Sequence, residues 1–122
     1  MAAAAAIINL WLGMRIGSLR HKAQVIHGDG GNPLLMQRMR AQSNFIENTP
    51  LTLILVGLIE LSGRGGAWLA PVAAVFILGR VAHGFGMDNP GPNPARMIGT
   101  LTAMLIKLGL AGVAVAIALG WL

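Results

Sequence analysis

The sequence predicts an all-α integral membrane protein, in which residues 1–122 form a single four-helix bundle domain. The chain is 55% hydrophobic and only 11% charged, whereas a soluble domain carries about 25% charged residues. Four long apolar blocks alternate with short turn-forming segments. As helices, these blocks are long enough to cross a hydrocarbon core of about 30 Å. We expect them at about residues 2–26, 33–62, 67–86 and 94–121.

The first two predicted helices flank a polar loop. Ala2–Ala6 begins the first helix with the residue of highest helix propensity. His27–Pro33 is dense in glycine and polar turn formers, and it predicts the first loop. Asn32 can cap the second helix with its side chain, and Pro33 suits its first position. At about 45 Å, this helix is longer than the membrane core, so its polar first third must protrude, tilt or pack against protein.

The second half of the chain repeats this layout. Gly63–Gly66 predicts a short turn before the third helix, whose early Pro71 is tolerated near a membrane helix start. Asp88–Pro94 predicts the third connection, and its final Asn-Pro pair repeats the capped opening for the fourth helix.

Basic residues predict the orientation of the helices. They concentrate at or beside the first and third connections, and the turn between the second and third helices holds only Arg64. Cytoplasmic loops of membrane proteins carry an excess of lysine and arginine. We therefore expect the first and third loops on the cytoplasmic side and both termini on the opposite side of the membrane.

Composition argues against several other kinds of site. The net charge of +5 could indicate nucleic-acid binding, but the chain has three tryptophans, three phenylalanines and no tyrosine to interleave with its basic residues. No nucleic-acid partner is expected. There is no cysteine, and His21, His27 and His83 do not have the spacing of a zinc site. No metal is expected either.

The predicted second helix carries a stripe of polar side chains. Arg40, Ser43, Asn44 and Glu47 lie at i, i+3, i+4 and i+7, so they share one face within about 100°. A cation, an amide and a carboxylate can converge there on one small polar molecule.

The third and fourth helices extend this polar layer. Arg80, His83 and Met87 follow a similar spacing near the cytoplasmic end of the third helix, and Arg96 opens the fourth helix at the same level. Ionisable groups in a membrane are costly unless they are paired. The layer therefore allows two interpretations: a structural ion pair of Glu47 with Arg80 or Arg40, or a binding site built from these residues.

Other charged residues have simpler interpretations. Ordinary interfacial charges that flank helices are expected at Arg20, Lys22 and Arg38. Lys107 lies about 16 Å along the fourth helix from Arg96, near the bilayer midplane. We expect it to point inward, to Glu60, Asn9 or a neighbouring subunit.

The segment Arg38–Pro50 resembles the MAPEG family, the membrane-associated proteins in eicosanoid and glutathione metabolism, and in particular a bacterial-type member. The family signature is an Arg-Ala-Gln/His-x-Asn-x-x-Glu run followed by a proline. The likeness extends to the Gly-Asp-Gly-Gly loop before the signature, to Gly79, Arg80 and His83, and to the arginine that opens the fourth helix.

This resemblance implies a four-helix protomer in a homotrimer, with glutathione as co-substrate bound between subunits near the cytoplasmic side. The implied glutathione-binding residues are Arg40, Gln42, Asn44, Glu47, Arg80 and His83. Gln42 would act from the neighbouring subunit or orient the signature, and Arg96 would be the catalytic residue beside the thiol. Family enzymes of eicosanoid metabolism have tyrosines on the third helix and after the signature glutamate, where this chain has Met87 and Asn48.

The implied activity is conjugation of glutathione to a lipophilic electrophile, or reduction of a lipid hydroperoxide, with the second substrate arriving from the bilayer. Two other functions stay open. The protein could be a non-catalytic membrane scaffold of the same fold, in which the polar layer stabilises an oligomer. It could also be a small transporter that uses the same glutamate and arginines.

Overall fold

A computed structural model describes residues 1–122 as four α-helices without strands. The helices are α1 (Ala2–Ala23), α2 (Pro33–Leu61), α3 (Gly66–Gly86) and α4 (Pro94–Ala118). Each is long and apolar enough to cross a membrane. The prediction of an all-helical fold with four potential membrane spans is confirmed.

Two helices end earlier than the sequence predicts. α1 stops at Ala23 instead of residue 26, because Gln24 adopts a left-handed conformation with φ 54°. The next residue then donates its backbone N–H to the Arg20 carbonyl, 3.1 Å away. α4 stops at Ala118 instead of residue 121, where Gly120 has φ 72°. Both ends have the backbone hydrogen bonds of a Schellman motif, which removes the last residues from the helix.

The two predicted Asn-Pro openings are confirmed. The side-chain oxygen of Asn32 accepts from the backbone N–H of Leu35 at 3.1 Å. That of Asn93 accepts from Ala95 at 2.9 Å and from Arg96 at 3.3 Å. Each cap satisfies N–H groups that a helix start leaves without a partner.

The helices form two antiparallel pairs, α1 with α2 and α3 with α4. α2 and α3 contact each other and complete the bundle, whereas α1 and α4 do not meet. The loop end of the bundle carries the α1–α2 and α3–α4 connections, residues 24–32 and 87–93, and the turn end carries the α2–α3 connection, residues 62–65.

The closest helix pair, α3 and α4, meets through glycines. A Cβ on Gly99 would lie 2.5 Å from the carbonyl oxygen of Gly79 and 2.6 Å from Cβ of His83. Only a residue without a side chain fits that space. This close approach brings the α4 backbone within reach of side chains on α3, toward the loop end.

Apolar side chains fill the rest of the bundle and cover its outside. Ile59, Leu69 and Leu110 form a buried cluster at the turn end. Leu105 and Leu108 on α4 point outward and are largely exposed. An apolar outer surface suits lipid or another copy of the chain, and not water.

Candidate functional site

Arg80 is at the centre of the polar layer, and it is buried inside the protomer. Its side chain lies between α2 and α4, with 2% of the residue surface exposed. One guanidinium nitrogen, Nη1, donates to Oδ1 of Asn44 at 2.8 Å, and Nη2 donates to the Gly99 carbonyl oxygen. The guanidinium carbon lies 5.6 Å from the ring centre of Phe76. Arg80 therefore links three helices at the level of the signature.

His83 lies beside this link. It is 4% exposed, and its backbone and Cβ pack against Gly99 where α3 and α4 approach. Met87, which shares the sequence stripe with His83, packs instead among apolar residues of α1 and α2, including Leu12 and Ala41. The stripe on α3 is thus divided between the polar layer and the apolar core.

Arg40 and Glu47 are exposed on α2. Neither side chain forms a hydrogen bond or an ion pair within the protomer. Asp88 is the carboxylate in both ion pairs of the chain. The structural ion pairs of Glu47 with Arg80 or Arg40 therefore do not form within the protomer. Two opposite charges therefore lie unpaired on a helix that is apolar enough to span a membrane.

Arg96 lies in the first turn of α4, where it is exposed. Its backbone is fixed by the Asn93 cap and by Gly86, because a Cβ on Gly86 would clash with the backbone nitrogen of Arg96. The residues around it line an open cavity of about 570 Å³ between the α3–α4 loop and the outer face of α4, which reaches Leu101. A guanidinium on a fixed backbone thus borders a space open to a ligand.

The model of the MAPEG family matches residues 1–116 of the 122-residue chain. The chain belongs to the MAPEG family. No curated protein and no solved structure matches it. The family match agrees with the resemblance carried by the signature, and the rest of the site can be described in terms of this MAPEG protomer.

Gln42 of the MAPEG signature is turned away from Asn44 and toward α1. Its Nε2 lies 3.5 Å from Oδ1 of Asn9, at the limit for a hydrogen bond. A Cβ on Gly13 would lie 3.3 Å from the same nitrogen. Residues two apart on a helix point about 160° away from each other, so Gln42 does not join the Asn44–Arg80 pair of its own protomer.

Lys107 has a partner that the sequence did not predict. Its Nζ donates to Oδ1 of Asn48 on α2 at 2.8 Å, so the expected pairing with Glu60 or Asn9 within the protomer is wrong. Glu60 lies instead beside Gly65 in the α2–α3 connection. The rotation of α4 about its own axis decides this contact, and the spacing of one lysine does not reveal that rotation.

Arg38, which we expect as an interfacial charge, has partners within the protomer. It approaches Asp88, with 3.4 Å between Nε and Oδ1, and donates from Nη1 to the Arg15 carbonyl at 3.2 Å. Arg15 pairs with the same carboxylate, donates to the Gly84 carbonyl at 3.0 Å, and stacks 4.8 Å from the Trp11 ring centre.

We call Arg15, Arg38 and Asp88 the loop-end clasp, because they tie α1 and α2 to the α3–α4 loop. Sequence reasoning assigned Asp88 only to a turn-forming segment. Asp88 is an acidic residue in a connection expected at the same end of the bundle as the basic parts of α1 and α2. This opposite charge was the signal that could have indicated the clasp.

Proposed function

We propose that this MAPEG protein is a glutathione-dependent membrane enzyme, which conjugates glutathione to a lipophilic electrophile or reduces a lipid hydroperoxide. The observation that carries the proposal is the exposed, unpaired state of Arg40 and Glu47 on the helix that also presents Asn44. Ionisable residues within membrane segments mark binding sites by default, because leaving them unpaired in lipid is costly.

Glutathione has the groups that these residues require. It carries two carboxylates and one ammonium, and Arg40 can bind a carboxylate through paired N–H donors while Glu47 accepts from the ammonium. Asn44 adds an amide between the two charges. Arg80 lies behind that amide and donates to its oxygen, and His83 would complete this wall.

Arg96 is the proposed catalytic residue. Its guanidinium is unpaired, and its backbone is held in place at the edge of an open cavity. A cation beside the glutathione thiol favours the thiolate, which is the nucleophilic form. The sulfur would then attack a lipophilic substrate that reaches the site along the exposed apolar face of α4. In conjugation the bond to the leaving group of the electrophile would break, and in hydroperoxide reduction the O–O bond would break.

A homotrimer would complete the site between neighbouring protomers, with the loop end on the cytoplasmic side. This arrangement would cover part of the exposed apolar surface, and it would bring Gln42 of one subunit toward the signature of the next. The surplus of basic residues at the loop end supports the orientation.

Calorimetric titration of glutathione into the detergent-purified protein tests the proposal. Glu47→Gln and Arg40→Ala should each weaken binding by about tenfold or more, since each removes a hydrogen bond between charged groups. Glu60→Gln and Arg64→Ala are the matched controls, because they change exposed charges at the turn end of the bundle. Affinities that stay unchanged in both signature variants would remove the proposed site.

The scaffold function is supported by a different observation, the hydrogen bond that Arg80 donates to Asn44 inside one protomer. Polar groups that already hydrogen-bond to one another within the protomer do not need a ligand, and the remaining groups can stabilise an oligomer. In that case Glu47→Gln would weaken the oligomer, and glutathione would leave the unfolding temperature of the wild type unchanged. A ligand that binds the folded protein must raise that temperature, so one thermal-shift measurement separates the two functions.

A further inference from the structure

Two asparagines on the MAPEG signature helix face cations that can only donate hydrogen bonds. Arg80 approaches Asn44 at 2.8 Å, and Lys107 approaches Asn48 at 2.8 Å. Neither an arginine nor a lysine side chain has an acceptor atom. In both pairs the amide oxygen must therefore face the cation, and the amide NH₂ group must point away from it.

The two amide NH₂ groups have different surroundings. Nδ2 of Asn48 donates to the Asn44 backbone carbonyl at 2.8 Å, within α2. Nδ2 of Asn44 has no partner in the protomer, and it is not buried. One asparagine thus uses its donors inside the helix, whereas the other holds its donors free beside the exposed Arg40 and Glu47.

We propose that Arg80 is a positioning residue, which fixes Asn44 as a hydrogen-bond donor toward the ligand instead of contacting the ligand itself. The ligand group opposite Asn44 is then an acceptor, a carboxylate or a peptide carbonyl. This inference rests on the proposed function, in which that acceptor belongs to glutathione. The family resemblance implies that Arg80 contacts glutathione directly, whereas this inference gives Arg80 an indirect role through Asn44.

The burial of Arg80 supports the indirect role. Only 2% of the residue is exposed, its two Nη groups are occupied by Asn44 and Gly99, and its Nε is buried without a partner. A ligand on the outer face of α2 can reach the Asn44 amide without displacing these contacts. If that amide could rotate freely, either its oxygen or its NH₂ group could face the ligand. The hydrogen bond from Arg80 holds the oxygen inward, so the NH₂ group faces the ligand.

Asn44→Asp separates positioning from simple packing. The carboxylate keeps an acceptor for Arg80 and forms a charge-assisted pair with it, so the unfolding temperature should stay the same or rise. The ionised side chain has no donor left, and glutathione affinity should fall by about tenfold or more. A purely structural role for the pair would not lower affinity while stability is maintained.

Asn48→Asp is the matched control. It makes the same change one helical turn deeper, where Lys107 takes the place of Arg80 and the lost donor served only the helix backbone. Calorimetry should find its glutathione affinity equal to that of the wild type. A loss equal to that of Asn44→Asp would show that added negative charge, and not the missing donor, is responsible, and it would overturn the inference.

Variants of Arg80 supply the second arm. Arg80→Lys keeps a donor-only cation facing Asn44 and should retain most of the glutathione affinity, whereas Arg80→Met releases the amide and should lose it. If Arg80→Met fails to fold, the Asn44 and Asn48 variants decide the question alone. A wild type without glutathione binding would overturn the proposed function together with this inference. Unchanged affinity in Asn44→Asp beside a binding wild type would overturn the inference alone.

Discussion

At the turn end of the bundle, α2, α3 and α4 meet through apolar side chains. At the loop end, hydrogen bonds and ion pairs connect α1, α2, α3 and the α3–α4 loop. Ile59, Leu69 and Leu110 pack together without polar partners. The loop end is tied by the clasp around Asp88 and by the Asn44–Arg80 pair. Apolar packing fills space without strict direction, while hydrogen bonds fix the orientation of particular atoms. The end that would bind a ligand is thus the end whose geometry is specified most closely.

A second division lies within the loop end. Arg15, Arg38 and Arg80 have partners inside the protomer, and Arg40 and Arg96 have none. In the proposed function, the first group supports the site and the second meets the ligand. Substitutions in the two groups should therefore affect different measurements.

The largest loss of stability is expected from Gly99→Ala. The added Cβ would meet the Gly79 carbonyl oxygen at 2.5 Å and Cβ of His83 at 2.6 Å, so α3 and α4 must separate and the Arg80 hydrogen bond to residue 99 must lengthen. Overpacking of this kind costs about 3 kcal/mol. Thermal unfolding in detergent measures it. Gly109→Ala, on the same helix with no atom near the added Cβ, should be neutral or stabilising, and equal losses in both would contradict the close approach.

Asp88→Ala tests the clasp. It leaves Arg15 and Arg38 without their carboxylate, and the free energy of unfolding should fall by about 2 kcal/mol. This is less than for a fully buried pair, because the side chains of both arginines and of Asp88 are partly exposed. Glu60→Ala, which removes an exposed carboxylate at the turn end, should change the unfolding temperature little. A similar response to both would show that the clasp does not stabilise the loop end.

Arg96→Ala should lower activity without lowering stability. Removing the guanidinium should reduce the thiolate fraction of bound glutathione by about tenfold, and the conjugation rate with a lipophilic electrophile should fall with it. Thiolate absorbance and the rate are the two measurements. The unfolding temperature should not change, because the side chain has no partner in the protomer. If absorbance and rate both persist, another group stabilises the thiolate.

The smallest effect is expected at the turn end. Ile59→Val removes one methylene from an apolar cluster that has no hydrogen bonds to misalign, and it should cost about 1 kcal/mol. Glutathione affinity, measured by the same titration, should stay at the wild-type value. A change in affinity would mean that the turn end also positions the site, against the division described above.

The helices could be predicted from the sequence because each leaves a local signal. Apolar blocks identify the spans, and the Asn-Pro openings identify the starts of α2 and α4 to the residue. The end of α1 could not be predicted, since a glutamine in the left-handed conformation at position 24 leaves no compositional mark.

The site could be predicted only in part. Helical spacing places Arg40, Asn44 and Glu47 on one face, and the structure gives Arg40 and Glu47 the exposed positions that this face requires. The partners of Asn44, Lys107 and Asp88 depend on how the helices are rotated against one another, and a single sequence does not contain that information. The contact of Gln42 could not be predicted for the same reason. Its side chain approaches Asn9, and this depends on how α1 packs against α2.

The lack of contact between α1 and α4 has a consequence for how this protein can diversify. Changes at positions that share no neighbours combine additively. The outward side chains of α4, Leu105 and Leu108 among them, can therefore be exchanged for others without a compensating change in α1. Within one protomer, the outward face of α4 can therefore change during evolution while α1 stays as it is.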